Sequence, residues 1–136
     1  MSTTPATLRM VEVSGAEALW LVEGSCLGRL VYRQRESTVV RPGHHTWEYG
    51  RLVVRTPAPV AAVPFTVTYH VDEIRAASGT GWSVTVEGPV DVITDPDEAA
   101  HYRRTLAGWT HGPHDTLLRV HPQAVTGFRL ARQAEG

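Results

Sequence analysis

The segment FTVTYHVDEIRAASGTGWSVTVEG, residues 65–88, contains two stretches in which apolar and polar residues alternate. Alternation with a period of two is typical of a strand that buries one face. The apolar positions are Phe65, Val67, Tyr69 and Val71 in the first stretch and Trp82, Val84 and Val86 in the second. Gly79 and Gly81 lie between the stretches, and glycine adopts the positive φ that a tight reversal requires. We therefore predict a central β-hairpin whose Phe65, Tyr69, Val84 and Val86 contribute to the core.

Further strands are predicted on both sides of this hairpin, with turn residues between them at short intervals. They cover residues 28–33, 38–46, 51–56, 116–120 and 124–130, and a short strand or arm is possible at 8–13. Residues 90–93 are expected to continue the second hairpin strand. Pro42 requires an edge or a bulge in its strand, and Gly88-Pro89 predicts a kink. An antiparallel barrel is the packing that leaves few strand edges open.

Two helices are predicted from their first turns. Ser14 and Glu17 have the spacing of a capping box, and the helix is expected to run to Glu23. Asp95-Pro96 places an N-cap acid before a proline at the first helical position, and this helix is expected to end near Ala107. Residues 60–63, between prolines, are long enough for a single helical turn. We expect Trp20 and Cys26 to be buried and residues 1–7 to be disordered.

Composition limits the classes of function. The 136 residues fit a single domain, residues 1–136. A formal net charge of −1 with mixed signs leaves no basic stripe for nucleic acid. Cys26 is the only cysteine, so we predict no internal disulfide and no multi-cysteine metal site, and we assign no residue to a metal. No apolar run approaches the roughly 20 residues that span a bilayer, and we expect no signal peptide, no membrane contact and a cytoplasmic location.

Six short motifs resemble those of the FMN-binding split barrels, the small bacterial proteins related to pyridoxamine 5'-phosphate oxidase and to nitroimidazole-resistance proteins. They occur in the same order and cover the chain from about Ser14 to Leu130. The motifs are Gly28-Arg29-Leu30, Val53-Val54-Arg55-Thr56, Val71-Asp72-Glu73-Ile74, Gly81-Trp82-Ser83-Val84, Thr94-Asp95-Pro96 and Val125-Thr126-Gly127. The resemblance implies a mainly β fold, a six- to seven-stranded antiparallel split β-barrel with two or three short helices.

The same resemblance implies a homodimer that holds FMN in the cleft between its two barrels. By position, Arg55 and Thr56 would contact the phosphate, while Trp82 and Ser83 would lie beside the flavin. Guanidinium and hydroxyl groups match phosphate oxygens chemically. The implied activity is that of a flavin-dependent oxidoreductase acting on a small organic molecule.

Two places depart from the family pattern. The serine, glycine and lysine that usually follow the Arg-Thr pair are replaced by Pro57-Ala58-Pro59-Val60-Ala61-Ala62, in which two prolines lack amide donors. His44 and His45 replace an Asn-Tyr pair that faces the flavin in the family. Histidine transfers protons near neutral pH, so both are candidate catalytic residues and His44 is also a candidate cofactor ligand.

Neighbouring strand residues point to opposite faces, so His44 and His45 can line one pocket only if Gly43 forms a bulge. His70, on the polar face of its strand, is an alternative third member of a rebuilt site with His44 and His45. A position exposed to solvent is nevertheless favoured for each of the other histidines. They are His70, His101, His111, His114 and His121.

Two alternative functions remain open. The barrel could have lost FMN binding and instead bind a deazaflavin, or haem through a histidine, or perform chemistry on a small molecule without a cofactor. It could also be a ligand-binding dimer without turnover. No motif of a hydrolase or a kinase is present.

Overall fold

The computed structural model describes residues 7–109 and 114–133, which form eight strands and two α-helices. In chain order the elements are β1 (Leu8–Val13), α1 (Gly15–Glu23), β2 (Leu27–Gln34), β3 (Ser37–Glu48), β4 (Arg51–Thr56), β5 (Thr66–Ile74), β6 (Gly81–Val92), α2 (Pro96–Thr105), β7 (Thr116–Val120) and β8 (Ala124–Arg132). A single 3-10 turn, Val60–Ala62, lies between β4 and β5, where the prolines predict it.

Six antiparallel strands close into a barrel in the order β6-β5-β2-β3-β4-β7, and β7 pairs back with β6. β8 and β1 extend the sheet outward from β6. The predicted mainly β barrel is therefore confirmed, with six strands in the barrel and two outside it.

β6 takes part in both the barrel and its extension. Residues 81–87 pair with β8, and residues 90–92 pair with β7. Gly88-Pro89 lies between these two halves, as the predicted kink requires. A β-carbon built at Gly88 would lie 1.8 Å from the carbonyl oxygen of His121, so only glycine lets the β7–β8 connection pass this close.

The inward faces of the strands form the main core, and the alternation of residues 65–88 predicts most of it. Tyr69, Val84 and Val86 are fully buried, as expected. The prediction for Phe65 is wrong, because its side chain is 78% exposed. Phe65 precedes the start of β5, so only its backbone joins the sheet, where its carbonyl accepts a hydrogen bond from the amide of Val90 at 2.8 Å.

Helix α1 begins as predicted, with the Ser14 hydroxyl accepting a hydrogen bond from the Glu17 amide at 3.1 Å. Ala18, Leu21 and Val22 form its buried side against β6 and β8. Trp20 lies outside that side and is 65% exposed, so the prediction of its burial is wrong. Cys26 is likewise exposed rather than buried, because it lies in the connection just before β2.

Helix α2 covers the outer surface of β4 and β7. Asp95 accepts a hydrogen bond from the Glu98 amide at 2.9 Å, which confirms the predicted N-cap. A second apolar cluster forms under the helix, consisting of Val53, Ile93, Ala99, Tyr102, Leu106 and Leu117. The predicted disorder of residues 1–7 falls almost entirely outside the described residues, as does His111. Within the described ranges, neither helix has the length and apolar character that a bilayer crossing requires.

Candidate functional site

The strand register brings five side chains into one line on the outside of the barrel, which we call the outer row. Ser83 pairs with Asp72, Leu27 pairs with His44, and His44 pairs with Arg55. Leu27 and Asp72 each lie two residues from the pair formed by Arg29 and His70. Directly paired residues share a face of the sheet, so the outer row crosses five strands without a break.

The predicted site residues divide between the two faces of the sheet. His44, Arg55 and Ser83 belong to the outer row. Their sequence neighbours His45, Thr56 and Trp82 point inward, where they are 2%, 0% and 9% exposed. The expectation that His44 and His45 point to opposite faces is confirmed, and only the outward residues can reach a ligand on the outer surface.

His44 lies near the middle of the outer row, beneath an indole ring. Its imidazole centroid is 4.6 Å from the ring centroid of Trp109, with the planes inclined by 32°. The Nδ1 atom of His44 is buried and makes no hydrogen bond to any residue within 7–109 or 114–133. A buried polar atom of this kind usually has a partner, so His44 retains hydrogen-bonding capacity for a ligand.

Trp109 is a site residue that sequence reasoning missed. Its indole nitrogen donates a hydrogen bond to the Arg55 carbonyl at 3.4 Å. The preceding Gly108 allows this approach, because a β-carbon there would lie 2.7 Å from the Arg55 guanidinium. Trp109 follows α2 in an irregular segment, so no periodic pattern could have assigned its position.

The guanidinium of Arg55 is occupied by the protein itself. Its Nε and Nη2 atoms donate to the two carboxylate oxygens of Asp115, each at 2.8 Å. Its Nη1 atom donates to the carbonyls of Arg103 at 3.2 Å and Leu106 at 2.7 Å, beyond the last turn of α2. These contacts use four of the five guanidinium hydrogens. Arg55 thus fastens the end of α2 to the barrel.

Asp115 is held by two arginines. Arg103 donates to it from Nε at 3.2 Å, in addition to the two bonds from Arg55. The hydrogen bond from Arg55 is the main reason that the pKa of the Asp115 carboxyl is below its usual value. The carboxylate therefore stays ionised and occupies the anion-binding edge of Arg55.

The predicted phosphate-binding residues do not fit a phosphate in this arrangement. Besides Arg55, the Thr56 hydroxyl is buried and donates to the Pro42 carbonyl at 2.9 Å. Pro57 and Pro59 offer no amide hydrogen to an anion. The chain also contains no lysine at any position. The assignment of Arg55 and Thr56 to a phosphate stays a prediction that this geometry does not support.

At the other end of the outer row lies a charged network. The Nε2 atom of His70 is 2.9 Å from Asp72 Oδ2, and its Nδ1 atom is 3.1 Å from the Thr85 hydroxyl. Arg29 donates from Nη2 to the same Asp72 oxygen at 2.6 Å. Ser83 lies beside this network, with its hydroxyl 3.4 Å from His70 Nε2. His70, expected to be solvated, is thus partly buried and paired.

His45 is enclosed by hydrogen bonds inside the barrel. Its Nε2 atom donates to the Val22 carbonyl at 3.1 Å, which leaves Nδ1 to accept from the Tyr69 hydroxyl at 2.7 Å. Burial is the main reason that the pKa of His45 is lowered. Burial also raises the pKa of Tyr69. A neutral imidazole linking α1 to β5 accounts for every polar atom of His45, and its predicted catalytic role gains no support.

The sequence of this chain is similar to one described family and to one curated protein. The profile of the family described as pyridoxamine 5'-phosphate oxidase matches residues 14–129. An uncharacterised protein of Mycobacterium tuberculosis is 31% identical over 130 residues, covering 89% of this chain and 86% of that protein.

Two solved structures share the fold over nearly their full lengths. The FAD-binding protein of Mycobacterium smegmatis is 26% identical, with a TM-score of 0.66 over 90% of this chain and 98% of that one. An FAD-binding protein of Mesorhizobium loti is 17% identical, with a TM-score of 0.70 over 93% of this chain and 98% of that one.

Proposed function

Because this chain belongs to the pyridoxamine 5'-phosphate oxidase family, as its motifs predicted, we propose that it binds a flavin and acts as an oxidoreductase on a small organic molecule. The relative from Mycobacterium smegmatis, an FAD-binding protein, supports the flavin as the class of cofactor. FMN is the form that the sequence motifs imply. The observation that carries the proposal is the Nδ1 atom of His44, which lies beneath Trp109 in the outer row and has no hydrogen-bond partner among residues 7–109 and 114–133.

The ring of the flavin is assigned to the middle of the outer row. His44 Nδ1 is buried beneath Trp109, so the proposed hydrogen bond to a polar ring edge requires the indole to move aside. Leu27, 54% exposed, offers an apolar surface. A bound flavin supplies the chemistry of hydride exchange. The residues of this chain would orient the ring, and the His44 imidazole is the group that we assign to proton movement.

A second copy of the chain is proposed to cover the ring from the opposite side. Within residues 7–109 and 114–133, no helix packs on the outer faces of β5, β6 and β8, since α1 lies on the inward face. Ile74 and Met10 are 47% and 63% exposed on this surface, and the register joins them through Gly81 and Leu130. Apolar exposure beside a charged network is typical of a surface that another protein covers. This surface supports the proposed homodimer.

Binding of FMN and FAD to the purified protein tests the proposal. Visible absorbance and quenching of flavin fluorescence would measure each affinity. We expect His44→Ala to weaken binding about tenfold, because it removes one hydrogen bond and part of the aromatic contact.

His101→Ala, an exposed histidine on α2, is the matched control and should bind as the parent does. Failure of the parent protein to bind either flavin, or an equal loss in both variants, would contradict the proposal. Parallel titrations with a deazaflavin and with haem test the other ligands that the sequence left open.

The cation facing the phosphate is proposed to be Arg29 rather than Arg55. Arg29 is 52% exposed along its side chain and, among the described residues, uses only Nη2, which bonds to Asp72. Arg29→Ala is expected to weaken FMN binding about tenfold and to leave stability within about 0.5 kcal/mol of the parent.

Arg55→Ala should behave in the opposite way. It removes four hydrogen bonds at the end of α2 and is expected to lower the free energy of unfolding by about 2 to 3 kcal/mol. Urea denaturation and FMN titration of both variants separate the two roles. A strong loss of FMN affinity in Arg55→Ala with unchanged stability would restore Arg55 as the phosphate ligand.

A further inference from the structure

A concave region lies on the face of the β5–β6 hairpin opposite to the outer row. Its six lining residues come from the end of α1 and from the β5–β6 hairpin, and its volume is about 330 Å³. We call it the indole pocket. The lining residues are Trp20, Leu21, Glu23, Gly24, Glu73 and Trp82. Glu73 pairs directly with Trp82, so both side chains project toward α1 rather than toward the outer row.

Two indole rings supply the aromatic surface of this pocket. Trp82 is 9% exposed and belongs to the main core, so it forms a fixed floor. Trp20 is 65% exposed and stands at the rim. Leaving so large an apolar side chain in water forgoes the stabilisation that its burial would give. The face of an indole attracts cations more strongly than that of any other side chain.

The charges in the pocket have one sign. Glu23 and Glu73 form no ion pair or side-chain hydrogen bond with the residues that the structure describes, and no arginine lines the pocket. Arg75 and Arg129 line the adjoining cavity of about 540 Å³, which shares Glu73 and Trp82 with the pocket, and Arg129 is already paired with Glu17 at 2.7 Å. The carboxylates of the pocket are therefore free to pair with a ligand.

The end of helix α1 adds to the negative potential. The C-terminal end of a helix dipole is negative and is stabilised by a basic residue in the last turn. The last turn of α1 contains no basic residue, and its final residue is Glu23. Glu23 is thus placed where a carboxylate is electrostatically unfavourable, and a bound cation would remove that cost.

We propose that the indole pocket is a binding site for a small organic ammonium ion, with the charged nitrogen between the two indoles and the two carboxylates. The site does not involve the outer row and does not depend on a flavin. Its volume accommodates a ligand of the size of choline. Specificity for charge comes from Glu23 and Glu73, and specificity for a methylated or alkylated nitrogen comes from the aromatic surface.

The experiment compares choline with 3,3-dimethyl-1-butanol, which has the same shape and no charge. Isothermal titration calorimetry and tryptophan fluorescence at constant ionic strength measure both. Choline is expected to bind saturably and at least about tenfold more tightly than the alcohol. Absence of saturable choline binding up to about 50 mM, or equal binding of the two compounds, overturns the proposal.

Substitutions locate the binding. Trp20→Ala changes an exposed residue that the fold does not require and should weaken choline binding about five- to tenfold. Glu23→Gln and Glu73→Gln should each weaken it about threefold or more, and Glu23→Gln alone decides this point if Glu73→Gln fails to fold. Glu36→Gln, in an exposed turn, and His44→Ala, in the outer row, should bind choline as the parent does. Unchanged binding in Trp20→Ala and Glu23→Gln overturns the assignment.

Discussion

Replacing Gly28 with alanine is expected to lower the free energy of unfolding by about 3 kcal/mol, because the added methyl group has no space. A β-carbon at Gly28 would lie 2.5 Å from Cζ and 2.6 Å from the hydroxyl oxygen of Tyr69. Gly43, the direct partner of Gly28, is also close to this ring, since a β-carbon there would lie 3.1 Å from Cε2. The phenol is held over two paired glycines and by His45, so it cannot move aside without breaking buried hydrogen bonds.

Urea denaturation at neutral pH measures this cost, and Gly15→Ala is the matched control. Apart from its chain neighbours and the backbone of α1, no described atom lies within 4 Å of the position that an added methyl group would occupy at Gly15. Alanine there, in the first turn of α1, should therefore be neutral or slightly stabilising. In the background of Tyr69→Leu, Gly28→Ala should cost clearly less than in the parent, since the clash is with the ring. Equal costs in the two backgrounds would show that the ring is not the cause.

Replacing His45 with glutamine is expected to cost about 2 kcal/mol at pH 7.5 and to flatten the dependence of stability on pH. The loss at pH 7.5 arises because Tyr69 loses its closest acceptor. Burial lowers the pKa of His45 in the folded protein. As the pH falls below the unfolded value of about 6.5, the unfolded chain takes up a proton that the folded chain resists. The stability is therefore present above pH 6.5 and is lost below it.

The slope from this one residue cannot exceed about 1.4 kcal/mol per pH unit. Thermal or urea denaturation of the parent and of His45→Gln between pH 5 and 8 measures it as the difference between the two curves. His101→Gln is the control, because His101 is exposed on α2 and should leave the curve parallel to that of the parent. A parent and a His45→Gln curve that stay parallel throughout would contradict the inward, neutral assignment of His45.

Alternation along the sequence predicts which face of the barrel a strand residue occupies. The prediction holds for residues that lie within a paired part of the sheet. It places Tyr69, Val84 and Val86 inside and separates His44 from His45. It fails at Phe65 because the alternating pattern begins one residue before β5 does. The predicted burial of Trp20 is wrong for a different reason, because Ala18, Leu21 and Val22 already fill the narrow buried side of α1.

The set of residues that form the site was less predictable from the sequence, because its main contacts join segments that are distant in the chain. Asp115 occupies Arg55 from sixty residues away, and Trp109 covers His44 from an irregular segment. Neither contact leaves a local pattern, since both depend on how α2 docks on β4 and β7. The proline-rich segment after Thr56 did carry information, because its missing amide donors agree with an Arg55 that binds the carboxylate of Asp115.

The closure of the barrel by β7 sets an order for folding. β5 and β6 pair across a short turn, so their loop-closure entropy is small and this hairpin can form early. β7 must instead join β4, where Leu52 pairs with Val120, half of the sequence away. Pairings of such high contact order are slow and come late. Because β4 pairs with β3 across a short turn, the outer row itself forms without β7. Only its cover by Trp109 and the pairing of Arg55 with Asp115 wait for the last stage of folding.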